Sequence, residues 1–158
     1  MKVLGLRHVG CIVNDLKKME AFYKGIGLVK VHENIETGSF IDHLLGTDKI
    51  RLETVKMIIP EEDLPNHRCF CLELMRVIDT KSTKESRLRD KFEFKKLQGF
   101  LDIAFTVDNI QSVCDYIIAS GGDVLNNPIR NIVGFPALHC YGRDPEGNVL
   151  HISQNLDT

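Results

Sequence analysis

Two stretches of the chain repeat one arrangement of apolar and polar positions. Residues 7–27 read RHVGCIVNDLKKMEAFYKGIG and residues 101–121 read LDIAFTVDNIQSVCDYIIASG. An offset of 94 superposes Val9 on Ile103, Val13 on Val107, Asn14 on Asp108, Leu16 on Ile110, Met19 on Val113, Phe22 on Tyr116 and Gly27 on Gly121. Such internal similarity predicts two copies of one supersecondary unit. Each copy opens with a β-rich run that ends at an Asn/Asp pair, 14–15 or 108–109, where a helix N-cap belongs. Apolar residues then recur at Leu16, Met19, Phe22 and Tyr23, and at Ile110, Val113, Cys114 and Ile117, which is helical spacing. Gly25 and Gly121 are the expected C-caps.

Short β-like runs follow each helix, at 27–33, 49–59 and 68–77 in the first copy and at 123–126, 136–142 and 148–154 in the second. The stretch Ser39–Gly46 reads equally as a strand or a short helix. Asp144-Pro145-Glu146-Gly147-Asn148 is a turn joining the last two strands as a hairpin. The unit is therefore β-α-β-β-β, and the modules span 1–77 and 99–158. The connector between them, 78–98, holds seven basic residues (Lys81, Lys84, Arg87, Arg89, Lys91, Lys95, Lys96) against three acidic ones (Glu85, Asp90, Glu93). It reads as a solvated linker, with a lid over an anionic substrate as the sharper alternative.

Composition narrows the class. The chain has 158 residues, 43% of them hydrophobic and 27% charged, enough to bury a core as one compact domain without staples. A formal net charge of −2 argues against a protein whose affinity comes from neutralising nucleic-acid phosphates. No stretch of about 18 apolar residues offers a membrane span, and the N-terminus meets charge too early for a signal peptide. The expected location is the cytoplasm, with no membrane partner. The five cysteines (11, 69, 71, 114, 140) are odd in number and include no C-x-x-C pair, so they are expected reduced and mostly in the core.

Side chains alternate between the faces of a strand, so each strand divides by parity. Val9, Cys11 and Val13 share one face of the first run, and Leu101, Ile103, Phe105 and Val107 one face of its repeat. These bulky sets are expected beneath the helices. The opposite faces carry His8, Gly10, Ile12 and Asp102, Ala104, Thr106, an ionisable residue followed by a small one that leaves space above it. In the closing strands, Leu72, Leu74 and Leu150, Ile152 face one way, while Glu73 and His151 face the other. An offset of 78 places Cys71-Leu72-Glu73-Leu74 on Val149-Leu150-His151-Ile152. The repeat thus pairs His8 with Asp102 and Glu73 with His151. Two neutral imidazoles and two carboxylates balance a divalent cation and suit Zn, Ni, Co, Mn or Fe(II).

Those residues carry a resemblance. The chain resembles the vicinal-oxygen-chelate superfamily, which includes glyoxalase, extradiol dioxygenases and the bleomycin- and fosfomycin-resistance proteins. The similar segments are Leu6-Arg7-His8-Val9, Cys71-Leu72-Glu73-Leu74, Leu101 through Asp108, and Asp144 through His151. The resemblance implies an α+β fold of two paired βαβββ modules forming an open, barrel-like mixed sheet around a central cavity. It also implies a divalent metal held by His8, Glu73, Asp102 and His151, a small-molecule substrate, possibly anionic or a thiol adduct, and a homodimer. The chain departs from the glyoxalase-like order His, Glu, His, Glu: Asp102 stands where His is usual and His151 where Glu is usual.

Three functions follow. The leading one is metal-assisted proton transfer beside a chelated carbonyl, as in a glyoxalase-like lyase or isomerase, with Glu73 or Asp102 as the base. A non-catalytic binding or drug-resistance protein of the same fold is the second. An Fe(II) extradiol-type dioxygenase using His8, Glu73 and His151 is the third. Arg7, Arg51 and Arg143 are weaker candidates for clamping a substrate carboxylate. His43, His67 and His139 have no repeat-mate that titrates, and read as structural or exposed.

Overall fold

The two repeats become two units of the same design. In the computed structural model, which describes residues 7–60, 70–78, 99–131 and 136–156, the chain divides into compact units 1–83 and 84–158. The first runs β1 (His8–Ile12), α1 (Leu16–Gly25), β2 (Val29–Thr37), α2 (Ser39–Leu45), β3 (Arg51–Ile58) and β4 (Cys71–Val77). The second runs β5 (Ile103–Thr106), α3 (Ile110–Ala119), β6 (Asp123–Val124), β7 (Ile129–Asn131), β8 (Ala137–Arg143) and β9 (Val149–Asn155). The fold is α+β, with sheets ordered β1-β4-β3-β2 and β5-β9-β8-β6, and β7 pairing β8. Neither sheet closes into a barrel among the described residues. β1–β4 and β5–β9 are parallel and the other pairings antiparallel. A strand that leaves through a helix cannot turn back on itself as a hairpin, so β1 and β5 pair with strands arriving from far along the chain.

The helices begin where the Asn/Asp pairs place them. Asp15 accepts the Lys18 N–H at 3.0 Å and Asn109 accepts the Ser112 N–H at 2.9 Å, each satisfying a donor of the first turn. Leu16, Met19, Phe22 and Tyr23 form the buried stripe of α1, and Ile110, Cys114 and Ile117 that of α3. Each such large apolar side chain contributes about 1.5–3 kcal/mol by leaving water. Gly121 has φ +87° and ends α3 as expected. Gly25, in contrast, is the last residue of α1, and the left-handed position falls to Gly27 at φ +104°. The repeat superposition of Gly27 on Gly121 was the better guide, because only one residue at each helix end must take positive φ.

Beneath the helices lie Val55, Met57, Leu72 and Leu74 in the first unit and Phe105, Cys140, Leu150 and Ile152 in the second, all buried. Val13 is buried, but Val9 on the same face is 41% exposed, so the bulky face of β1 is covered only at its helix-proximal end. A Cβ on Gly10 would stand 2.7 Å from Met75 Cε, so the Met75 methyl group lies over the glycine.

Other elements differ from the sequence expectation. Ser39–Leu45 is a helix, ended by Gly46 in the left-handed region at φ +64°. β2 extends to Thr37 through a run that is mostly exposed, with a register shift between Lys30 and His32. The strand β7 went unread. Asp144 is buried and accepts the Glu146 and Asn148 N–H groups and the Asn148 side-chain amide, which fixes the β8–β9 turn. Cys11, Cys71, Cys114 and Cys140 carry thiols. The basic connector lies outside the described residues except for Ile78, as do Cys69 and His67. Among the described residues no helix is long and apolar enough to cross a membrane.

Candidate functional site

Register decides which side chains share a face. In the first unit Gly10 pairs with Glu73 across the parallel strands, and Glu73 pairs with Lys56 across the antiparallel ones. His8, Glu73 and Lys56 therefore lie on the face away from α1, as parity requires. His8 Nε2 stands 3.4 Å from Glu73 Oε2, and Lys56 Nζ stands 3.3 Å from Glu73 Oε1. Glu73 is only 6% exposed, and a carboxylate this buried needs opposite charge or hydrogen bonds to hold its ionised form. Lys56 provides the charge.

The second unit repeats the register with other chemistry. Ala104 pairs with His151, and His151 pairs with Tyr141. The offsets of 94 and 78 read from sequence thus hold in the strand pairing, and Asp102 and His151 occupy in this unit the positions of His8 and Glu73 in the other. The same pairing makes Tyr141 the counterpart of Lys56 and His139 the counterpart of Thr54. Tyr141 stacks on His151 with ring centroids 4.8 Å apart and planes 20° from parallel. His139 Nδ1 lies 3.1 Å from His151 Nε2. The Tyr141 hydroxyl hydrogen-bonds the Asp102 carboxylate. Burial first, then the charge of Asp102 and this bond, push the Tyr141 phenol above its ordinary value, so it remains a proton donor to Asp102 at neutral pH.

Whether these residues suit a cation is a question of donor spacing. Two ligands at about 2.0–2.2 Å from one ion, at angles between about 90 and 109°, stand roughly 2.9–3.5 Å apart. His8 with Glu73 at 3.4 Å, and His139 with His151 at 3.1 Å, both fall in that range. Each unit offers a pair of donors of the type borderline metals prefer. Among the described residues, no three His, Cys, Asp or Glu side chains gather around one point.

Sequence reasoning reached His8, Glu73, Asp102 and His151 but missed Lys56, Tyr141 and His139. His139 is half-buried and bonded to His151, whereas it had been read as structural or exposed. The missed residues lie on β3 and β8, whose cross-strand partners need a pairing register to identify. His43 is exposed, its Nδ1 2.6 Å from the Ser39 carbonyl oxygen, and remote in role. Arg51 is exposed and Arg143 half-buried at the end of β8.

Comparison with known proteins places this geometry in context. The model of the Glyoxalase/Bleomycin resistance protein/Dioxygenase superfamily matches residues 5–152. A glyoxalase family protein from Bacillus cereus superposes with a TM-score of 0.83 at 20% identity, covering 99% of this chain and 97% of that one. Glyoxalase I from Zea mays superposes at 0.61 and 17% identity over 98% of this chain, which spans about half of the maize protein (46%). The fosfomycin resistance protein FosX from Listeria monocytogenes, solved with Mn(II) and sulfate, superposes at 0.52 and 14% identity over 98% of this chain and 95% of that one. At these identities the structural likenesses show the fold alone. No curated protein matches the sequence.

Proposed function

The chain belongs to the Glyoxalase/Bleomycin resistance protein/Dioxygenase superfamily, and we propose that it is a divalent-metal-dependent enzyme that moves a proton beside a carbonyl group of a small substrate. The observation that carries this reading is the His8–Glu73 pair, two donors 3.4 Å apart on the face away from the helix, with repeat-mates at Asp102 and His151. His8 and Glu73 would hold the ion. An ion held there would supply Lewis acidity toward a substrate carbonyl and its neighbouring C–H. Asp102, partly exposed and oriented by the Tyr141 hydroxyl that donates to it, is the proposed base. Glu73 is held between His8 and Lys56 and serves as a ligand.

One observation favours a second reading. Lys56 already neutralises Glu73, which suits a metal-free pocket that binds an anionic small molecule without turnover. The test is anaerobic incubation with a thiol–ketoaldehyde adduct in deuterated water, with and without added Zn(II), Ni(II), Co(II) or Mn(II). Metal-dependent turnover with solvent deuterium in the product supports the enzyme. Inertness with every metal, together with saturable metal-free binding of the adduct or another anion, supports the second reading.

A further inference from the structure

Two thiols meet inside the second unit, Cys114 from α3 and Cys140 from β8. Their Sγ atoms stand 3.3 Å apart, and the residues are 3% and 1% exposed. The helix packs directly on this strand, and two glycines allow the close approach. A Cβ on Gly142 would stand 3.1 Å from the Asp123 carbonyl oxygen and 3.3 Å from Ile117 Cδ1, and a Cβ on Gly122 would overlap the Arg143 carbonyl oxygen. α3 is thereby held at a distance where a cysteine from each element reaches the other. Packing alone asks for apolar volume at these positions, not for two sulfur atoms in contact.

A disulfide bond is about 2.05 Å long, so rotation of the two side chains by roughly 1.2 Å closes the gap while the backbone stays close to its present course. We infer that Cys114 and Cys140 are a latent disulfide site, which a small-molecule disulfide closes into a covalent staple between α3 and β8. The exchange has two steps. One cysteine thiolate attacks a sulfur of the oxidant and expels one thiolate, leaving a mixed disulfide. The second cysteine thiolate then attacks the protein sulfur and expels the other. Two protein thiols are oxidised, the oxidant is reduced to two thiols, and these take up the two protons. Burial, which also keeps the Cys140 thiol protonated, makes the pair inert until α3 lifts from the sheet. Once formed, the bond closes a loop that contains β6 and β7. It also restrains β8 at Cys140, between His139 and Tyr141, whose side chains lie on the opposite face.

The test incubates the full chain with oxidised glutathione, in buffer and in urea just below the unfolding transition, then blocks remaining thiols and maps the peptides by mass spectrometry. A peptide pair joined through Cys114 and Cys140, lighter by two hydrogens and released by dithiothreitol, is expected, forming faster in urea. The oxidised protein should melt at least about 5 °C above the reduced one. Cys114→Ala and Cys140→Ala should each abolish both the joined peptide and the rise, with cooperative melting of the reduced variants showing that they fold. Mixed disulfides with glutathione and no joined peptide, even in urea, would overturn the inference. So would a joined form that melts no higher than the reduced protein, or a rise that persists in Cys114→Ala and therefore comes from other cysteines.

Discussion

On the proposed metal dependence, Lys56 and a divalent cation would compete for the Glu73 carboxylate. Lys56 Nζ is 3.3 Å from Glu73 Oε1 and its side chain is 30% exposed, so the ion pair is partly screened and worth about 1 kcal/mol or less. Lys56→Met should therefore tighten divalent-cation binding, up to about fivefold, as read by chelator competition; weaker binding would show that Lys56 orients Glu73 toward the metal instead. Asp144 makes a different kind of contribution. Buried and accepting three N–H donors, it leaves them unpaired when replaced, so Asp144→Ala should cost about 1–3 kcal/mol in urea unfolding. At this scale, parity and repetition made the repeat-equivalent register of His8 with Asp102 and of Glu73 with His151 legible in the sequence. They could not reveal His139, because its counterpart is Thr54, which does not titrate. Nor could they reveal Lys56 or Tyr141, whose offset of 85 matches neither offset seen in the flanking strands.

The helices are the elements that the pattern described best, because each has a short side-chain cap, a buried stripe at helical spacing and a glycine beyond its end. Asp15→Ala and Asn109→Ala should each cost about 0.5–2 kcal/mol, and the two losses should add, since the caps lie in different units. Strong non-additivity in the double variant would mean that the helices share a partner. The strands were harder to place. β2 runs on through Glu33, Asn34 and Glu36, polar residues without alternation to mark them, and is held by its pairing with β3. β7 is three exposed residues defined solely by its bonds to β8. Their existence depends on the neighbouring strand, which local propensity does not encode.

At the scale of the molecule, Cys140 and Glu20 are two of the titrating groups that shape how stability depends on pH. Burial pushes the Cys140 thiol up to about 12, aided by neighbouring Cys114, whose Sγ is 3.3 Å away. Its contribution is complete below the ordinary thiol value of 9.0 and is lost as pH rises toward 12. Glu20 behaves in the opposite sense. Burial raises it, but hydrogen bonds from Lys24 and Lys30 outweigh that and hold it below the usual carboxylate value, so its contribution is present above that value and lost as pH falls through the lowered one. Urea midpoints should decline on both sides of neutrality, and Cys140→Ala should lessen the alkaline decline while leaving the acid one unchanged. Iodoacetamide should leave Cys114 and Cys140 unmodified until the protein unfolds, because both are buried and a thiol, unlike a thiolate, reacts slowly. The duplicated plan was the most legible feature of the chain, since one offset joined seven apolar and polar positions before any element was assigned. The packing of the Met75 methyl group over Gly10 was not, because packing across strands depends on the register.

The most direct measurement is the metal content of the full chain, purified without chelators or a polyhistidine tag, beside that of Glu73→Ala. The account predicts close to one equivalent of a divalent transition metal in the wild type and its loss in the variant, with both proteins melting cooperatively. A wild-type protein that is folded, metal-free and unable to take up any divalent ion on titration would contradict it.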